Sequence, residues 1–172
     1  MRQRRHIHSR SSVSILRWQA DCLSGQACVI DGDTIIVDGE RVRLHGIDAP
    51  EMGQTFWLGG HELNCGAMAL AALETLVAGI ILRCEAIELD CHGRLVAKCF
   101  SPNGVDVGRR LVLAGWALAY RHYSLDYVDA EDEAREGFRG LWRGSFKKPW
   151  DWRAEMAARR PSRNQPNPKT DP

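Results

Sequence analysis

No apolar run among the 172 residues approaches the ~20 that a membrane-spanning helix needs, so no membrane partner is expected. The N-terminal stretch MRQRRHIHSRSSVSILRWQA has the charge of a signal peptide but not its apolar centre, because Ser14 and Arg17 break up Val13, Ile15 and Leu16. On that ground a cytoplasmic protein is expected. Six cysteines pull the other way, since paired cysteines persist in oxidising compartments, and they keep a secreted or periplasmic setting open. No CxxC occurs and the spacings match no zinc ribbon, so structural zinc is not expected. Internal repeats are absent too.

What is present supports one domain, with 44% hydrophobic residues to build its core. A net charge of +1 hides segregation. Residues 1–20 carry five arginines and no acid, residues 143–172 eight basic residues and three acids, and residues 21–142 ten basic residues and nineteen acids. The expected organisation is a basic, flexible N-terminal segment (1–24), a folded domain (25–144) and a basic, proline-rich C-terminal tail (145–172). Basic ends on an acidic body suit phosphate contacts through counterion release, or are plain solvated tails.

Along the chain, an apolar stretch from Ala27 to Ile30, the run TIIV and the run ERVRLHGI read as three strands, with Asp38-Gly39 as the hairpin turn between the last two. Alternation puts Arg43 on the face opposite Val42 and Leu44. Residues 52–61 read as a loop, and ELNCGAMALAALETLVAG as a helix stopped near Gly79. IILRCEAIEL and RLVAKCF follow as two strands around DCHG, then a short helix near VGRRLVLA, a brief strand in WALAY and a helix from about Leu125 to Phe138. This order does not make a parallel sheet. The fold expected is mainly β (α+β), a five-stranded OB-fold barrel with three packed α-helices.

VIDGDTIIVDGERVRLHGIDAPE holds six carboxylates among apolar strand residues, and burying acids is costly without a counter-charge. A cation is one answer. DGDT at 31–34, RLHGIDAPE at 43–51 and DCHGR at 90–94, followed by GWALAY and GLW, closely resemble the staphylococcal nuclease (thermonuclease) family over roughly residues 26–142.

The resemblance implies a monomeric, Ca²⁺-dependent phosphodiesterase on an OB-fold barrel, acting on DNA and also RNA with little sequence specificity and leaving 3′-phosphates. It gives Asp33, Asp48 and the Ala49 carbonyl as calcium ligands, Glu51 as the residue that activates water, and Arg43 and Arg94 as the phosphate clamp. His92 stands where the family commonly has a tyrosine, and Tyr120 lies near a position that packs by the substrate. Taken singly, each aspartate also reads as a turn residue and His92 as an exposed turn histidine. The rival class is a catalytically silent OB-type module that binds nucleic acid or protein; a phosphodiester from polysaccharide biology is a further reading of the substrate.

If the two strands around DCHG pair across a turn centred between Cys91 and His92, residues whose numbers sum to 183 face one another. That makes Cys84 and Cys99 neighbours within disulfide range, with Cys28 buried and Cys22 and Cys65 unpaired.

Overall fold

The computed structural model describes residues 22–159. In chain order its elements are β1 (Leu23–Val29), β2 (Thr34–Val37), β3 (Glu40–Leu44), β4 (Ile47–Asp48), β5 (Thr55–Leu58), β6 (His61–Asn64), α1 (Cys65–Val77), β7 (Ile81–Leu89), β8 (Leu95–Phe100), α2 (Val107–Leu113), β9 (Leu118–Ala119), α3 (Val128–Glu136), β10 (Ser145–Phe146) and α4 (Pro149–Arg159). Five strands close into a barrel in the order β1-β2-β3-β8-β7, and β7 pairs back to β1. The expected barrel is therefore present. Its β2–β3 hairpin turns on Asp38 and Gly39, both at positive φ, as a two-residue turn matched to strand twist requires.

Inward residues of alternating strands fill the barrel: Ile35 and Val37 from β2, Val42 and Leu44 from β3, Leu82 from β7, Leu95 and Ala97 from β8. Leu73 and Val77 of α1 and Leu111 of α2 extend this core. In β3 the phase leaves Arg43 on the opposite side from Val42 and Leu44, which is what a two-residue period demands. β3 and β8 run parallel, with Arg43 opposite Val96, so the chain entering β8 at Arg94 comes up beside Arg43.

Several expectations are corrected. Residues 52–61 are not simply a loop: β5 and β6 form a hairpin around Gly59-Gly60, and β10 adds to its edge. Packing against a second core of Phe56, Cys65, Leu118 and Leu141 stabilises it. Residues 145–159, expected as tail, form β10 and α4, so the described residues hold four α-helices rather than three. The described elements start with β1 and continue past 144 because Phe146, Trp142 and Trp150 bury part of their rings on that second core. Cys28 is exposed, not buried: β1 turns Leu23, Ala27 and Val29 inward, and Cys28 falls on the other phase. The readings of residues 1–21 and 160–172 as basic ends lie outside the described residues.

Cys84 and Cys99 oppose one another with Cα atoms 4.0 Å apart and are joined as a disulfide, while Cys22, Cys28, Cys65 and Cys91 are free. Pairs summing to 183 hold from Arg83↔Phe100 to Ala86↔Ala97. A bulge between Ala86 and Glu88 then shifts the register by one, to Glu88↔Val96.

Candidate active site

Asp33 sits where the turn DGD enters β2. Its backbone N–H donates to Asp31 Oδ1 (3.0 Å), so Asp31 serves the turn, and its own carboxylate points to the barrel wall, where Thr34 Oγ1 donates to it at 3.0 Å. Gly32 makes the approach to β4 feasible, because a Cβ there would lie 2.6 Å from that of Ala49. The Ala49 N–H in turn donates to Asp33 Oδ2 at 3.3 Å. Asp48, in β4, is completely buried. Arg43 bridges the two carboxylates, with Nη2 3.2 Å from Asp33 Oδ2 and 3.1 Å from Asp48 Oδ1.

Burial pushes the Asp33 carboxyl up to about 7; Arg43 opposes this, and repulsion from Asp31 and Asp48 adds to it. One guanidinium thus compensates the buried acids only in part. Burial works against the charge of Arg43, but Asp33 and Asp48 outweigh it and its pKa is raised.

Glu51 follows on the loop after β4, half-exposed, and its position is set from below. Its N–H donates to Oε1 of buried Gln54 (3.3 Å), and Gly66 at the start of α1 lets the chain pass, since a Cβ there would lie 1.9 Å from the Glu51 carbonyl oxygen. Gln54 Nε2 donates to the carbonyl of Lys147 at 2.6 Å, tying this loop to the C-terminal segment. That segment delivers Arg153 of α4: its Nη1 donates to Glu51 Oε1 (2.9 Å) and Asp48 Oδ1 (3.1 Å), and its Nη2 to Asp48 Oδ2 (2.7 Å). Burial disfavours its charge, but these bonds raise its pKa on balance.

Arg43, Glu51 and Arg153 line one cleft of about 950 Å³, and Arg94, Asp90, His92, Tyr120 and Tyr123 line it too. Asp33 and Asp48 lie beneath its surface. Asp90 shapes the DCHGR turn by accepting from the N–H groups of His92 and Arg94 (2.9 Å each) and from Arg94 Nε (2.7 Å). The Nη nitrogens of Arg94 make no hydrogen bond among the described residues, while the Asp90 carboxyl is held below its ordinary range by the Arg94 and His92 bonds despite desolvation. His92 is exposed at the rim. Tyr120 is fixed by Trp150, stacked at 5.4 Å and 11°.

All the site residues read from the sequence therefore fall at this cleft or under its floor, the disulfide pair excepted. Sequence reasoning missed Arg153 and Gln54. Pro149 followed by Asp151 is a helix-start signal that would have pointed to α4. Among the described residues no three His, Cys, Asp or Glu side chains converge as a preformed metal cluster. The donor chemistry nonetheless fits a hard cation: two carboxylates, Asp33 and Asp48, brought to one point by Arg43, with backbone and water to complete an oxygen shell.

A closed five-stranded barrel with buried carboxylates and arginines at one cleft defines the class, an OB-type domain with an acid–arginine site. The model of the family described as staphylococcal nuclease homologue matches residues 41–144, and the chain belongs to that family. It is 35% identical over 116 residues to an uncharacterized endonuclease of Escherichia coli, covering 66% of this chain and 70% of that one. Over 146 residues it is 37% identical to succinoglycan biosynthesis protein ExoI of Rhizobium meliloti, covering 83% and 76%. A micrococcal nuclease of Shigella flexneri is 32% identical over 126 residues, with 66% and 67% covered.

Proposed function

We propose that the protein is a calcium-dependent nuclease that hydrolyses phosphodiester bonds in DNA and in RNA, with little sequence specificity and 3′-phosphate products. The observation that carries this reading is the convergence of Asp33, Asp48, Arg43 and Glu51 at one cleft that Arg94 also lines. The names of the E. coli and Shigella relatives support it. Asp33, Asp48 and the Ala49 carbonyl would hold the ion, which when bound supplies positive charge to the reacting phosphate.

The chain's own groups do the rest. Glu51, pinned through its backbone by Gln54, orients the attacking water and accepts its proton. Arg94, braced at Nε by Asp90, keeps its two terminal nitrogens for phosphoryl oxygens, and Arg43 stabilises charge on the same group as the bond to the leaving oxygen lengthens, that oxygen taking its proton from solvent. His92 and Tyr120 contact the substrate from the rim. The protein acts as a monomer.

Incubation of plasmid and single-stranded DNA with the protein, with and without calcium, tests the reading. Calcium-dependent cleavage is expected; a protein that binds DNA and never cuts it would be the silent OB-type module instead. A second reading, a phosphodiester other than nucleic acid, is favoured by the succinoglycan name of the Rhizobium relative and would show as turnover of a synthetic phosphodiester with DNA left intact.

A further inference from the structure

Arg153 comes to the cleft from α4 and takes up most of the accepting capacity of Asp48. One oxygen, Oδ2, accepts from Arg153 Nη2 at 2.7 Å; the other, Oδ1, accepts from Arg153 Nη1 and Arg43 Nη2, both at 3.1 Å. The Asp48 side chain has no solvent exposure through which another partner could reach it. A hard divalent cation binds carboxylate oxygen at about 2.3–2.6 Å, within the shell that these nitrogens fill. Guanidinium and dication would then lie a few ångströms apart on one buried carboxylate, where like charges repel.

The two arginines differ in their freedom to leave. Arg43 is held by both aspartates, with a fifth of its side chain exposed; Arg153 is 37% exposed, at the open side of the cleft. Its helix is attached at the edge, by the stacking of Trp150 on Tyr120 and the bond from Gln54 to the Lys147 carbonyl. Its second partner, Glu51, is itself 41% exposed.

We propose that Arg153 is a positioning residue that trades places with a divalent cation at Asp48: it holds Asp48 and Glu51 together while no ion is bound, and yields Asp48 when the ion arrives. The inference rests on the reading of Asp33 and Asp48 as ion ligands. Ion and guanidinium are then reciprocally linked, so that each weakens the hold of the other. An arginine that stayed on Asp48 would also repel the ion, but its guanidinium protons would remain as protected with calcium as without it.

The test is calcium affinity, measured by calorimetry without substrate on the full chain carrying Arg153, Arg153→Lys or Arg153→Gln. Arg153→Gln should bind calcium about tenfold more tightly than wild type, with Arg153→Lys between them. Should the glutamine variant fold poorly, wild type alone decides: the guanidinium protons of Arg153, followed by NMR, should exchange with water faster once calcium is added. Equal or weaker calcium binding by a folded Arg153→Gln, or protection of those protons unchanged at saturating calcium, overturns the proposal. If it fails in this way while DNA cleavage still requires calcium, the nuclease reading stands; if the exchange occurs in a protein that cuts no DNA, only the nuclease reading falls.

Discussion

Asp48 and Arg153, 105 positions apart in the chain, form a two-point ion pair, with Nη2 2.7 Å from Oδ2 and Nη1 3.1 Å from Oδ1. A fully buried carboxylate is thus compensated from α4, and the segment 145–159 is part of the cleft rather than an appendage to it. The consequence for truncation is sharp. Removing residues 1–21 and 160–172 should weaken DNA binding and flatten its salt dependence, because those segments carry basic charge. Ending the chain at Lys148 should lower the midpoint, since Asp48 and Glu51 lose a counter-charge and Tyr120 loses its stacking partner. Denaturation and salt-dependent DNA titration of the two truncated forms separate these effects.

Gln54 joins the Glu51 loop to the C-terminal segment through one buried amide. Gln54→Leu keeps the volume but strands the Lys147 carbonyl and the Glu51 N–H without partners. A loss of about 1–3 kcal/mol in urea unfolding is expected, because both groups left unpaired are only partly buried and water can reach them. Turnover should fall with it, as Glu51 loses its backbone anchor.

Asp33 gives the ion-free protein a pH dependence of definite sign. Its carboxyl is raised from 3.8 to about 7, so between those values the folded state binds more protons than the unfolded chain, and stability falls as pH rises. Asp33→Asn removes that contribution. In a chelator it should stabilise the fold more at about pH 8 than at about pH 5, measured by urea denaturation at both.

The disulfide between Cys84 and Cys99 closes a sequence separation of 15 residues inside one hairpin. Reduction, or replacement of both cysteines by alanine, should cost about 2–3 kcal/mol by the loop-closure account. Denaturant midpoints with and without reductant measure it.

What could be read from the sequence was local. DGDT and RLHGIDAPE carry their own turns and strand phases, so the side of β3 that bears Arg43 followed from alternation alone. The opposition of Cys84 and Cys99 followed from turn geometry, although the bulge near Ile87 that shifts the far end of that hairpin left no mark. The β5–β6 hairpin was missed despite its Gly59-Gly60 turn because TFWL and HELN are short and weakly alternating; Phe56 settles them by burial in a core assembled from distant parts of the chain. Arg153 was illegible for the same reason. Its partners lie about a hundred residues upstream, and nothing in PWDWR itself says which acids its guanidinium will meet.

The central claim is that Glu51 works with ion-binding aspartates and arginines to cut a phosphodiester. Cleavage of single-stranded DNA by wild type and Glu51→Gln in excess calcium addresses it most directly, because the substitution keeps the shape and the acceptor for Arg153 while removing the base. The account predicts calcium-dependent cleavage by wild type and a kcat lower by about 10²–10⁴ in the variant. Equal rates in the two proteins, or a wild type that binds DNA and cuts none, would contradict it.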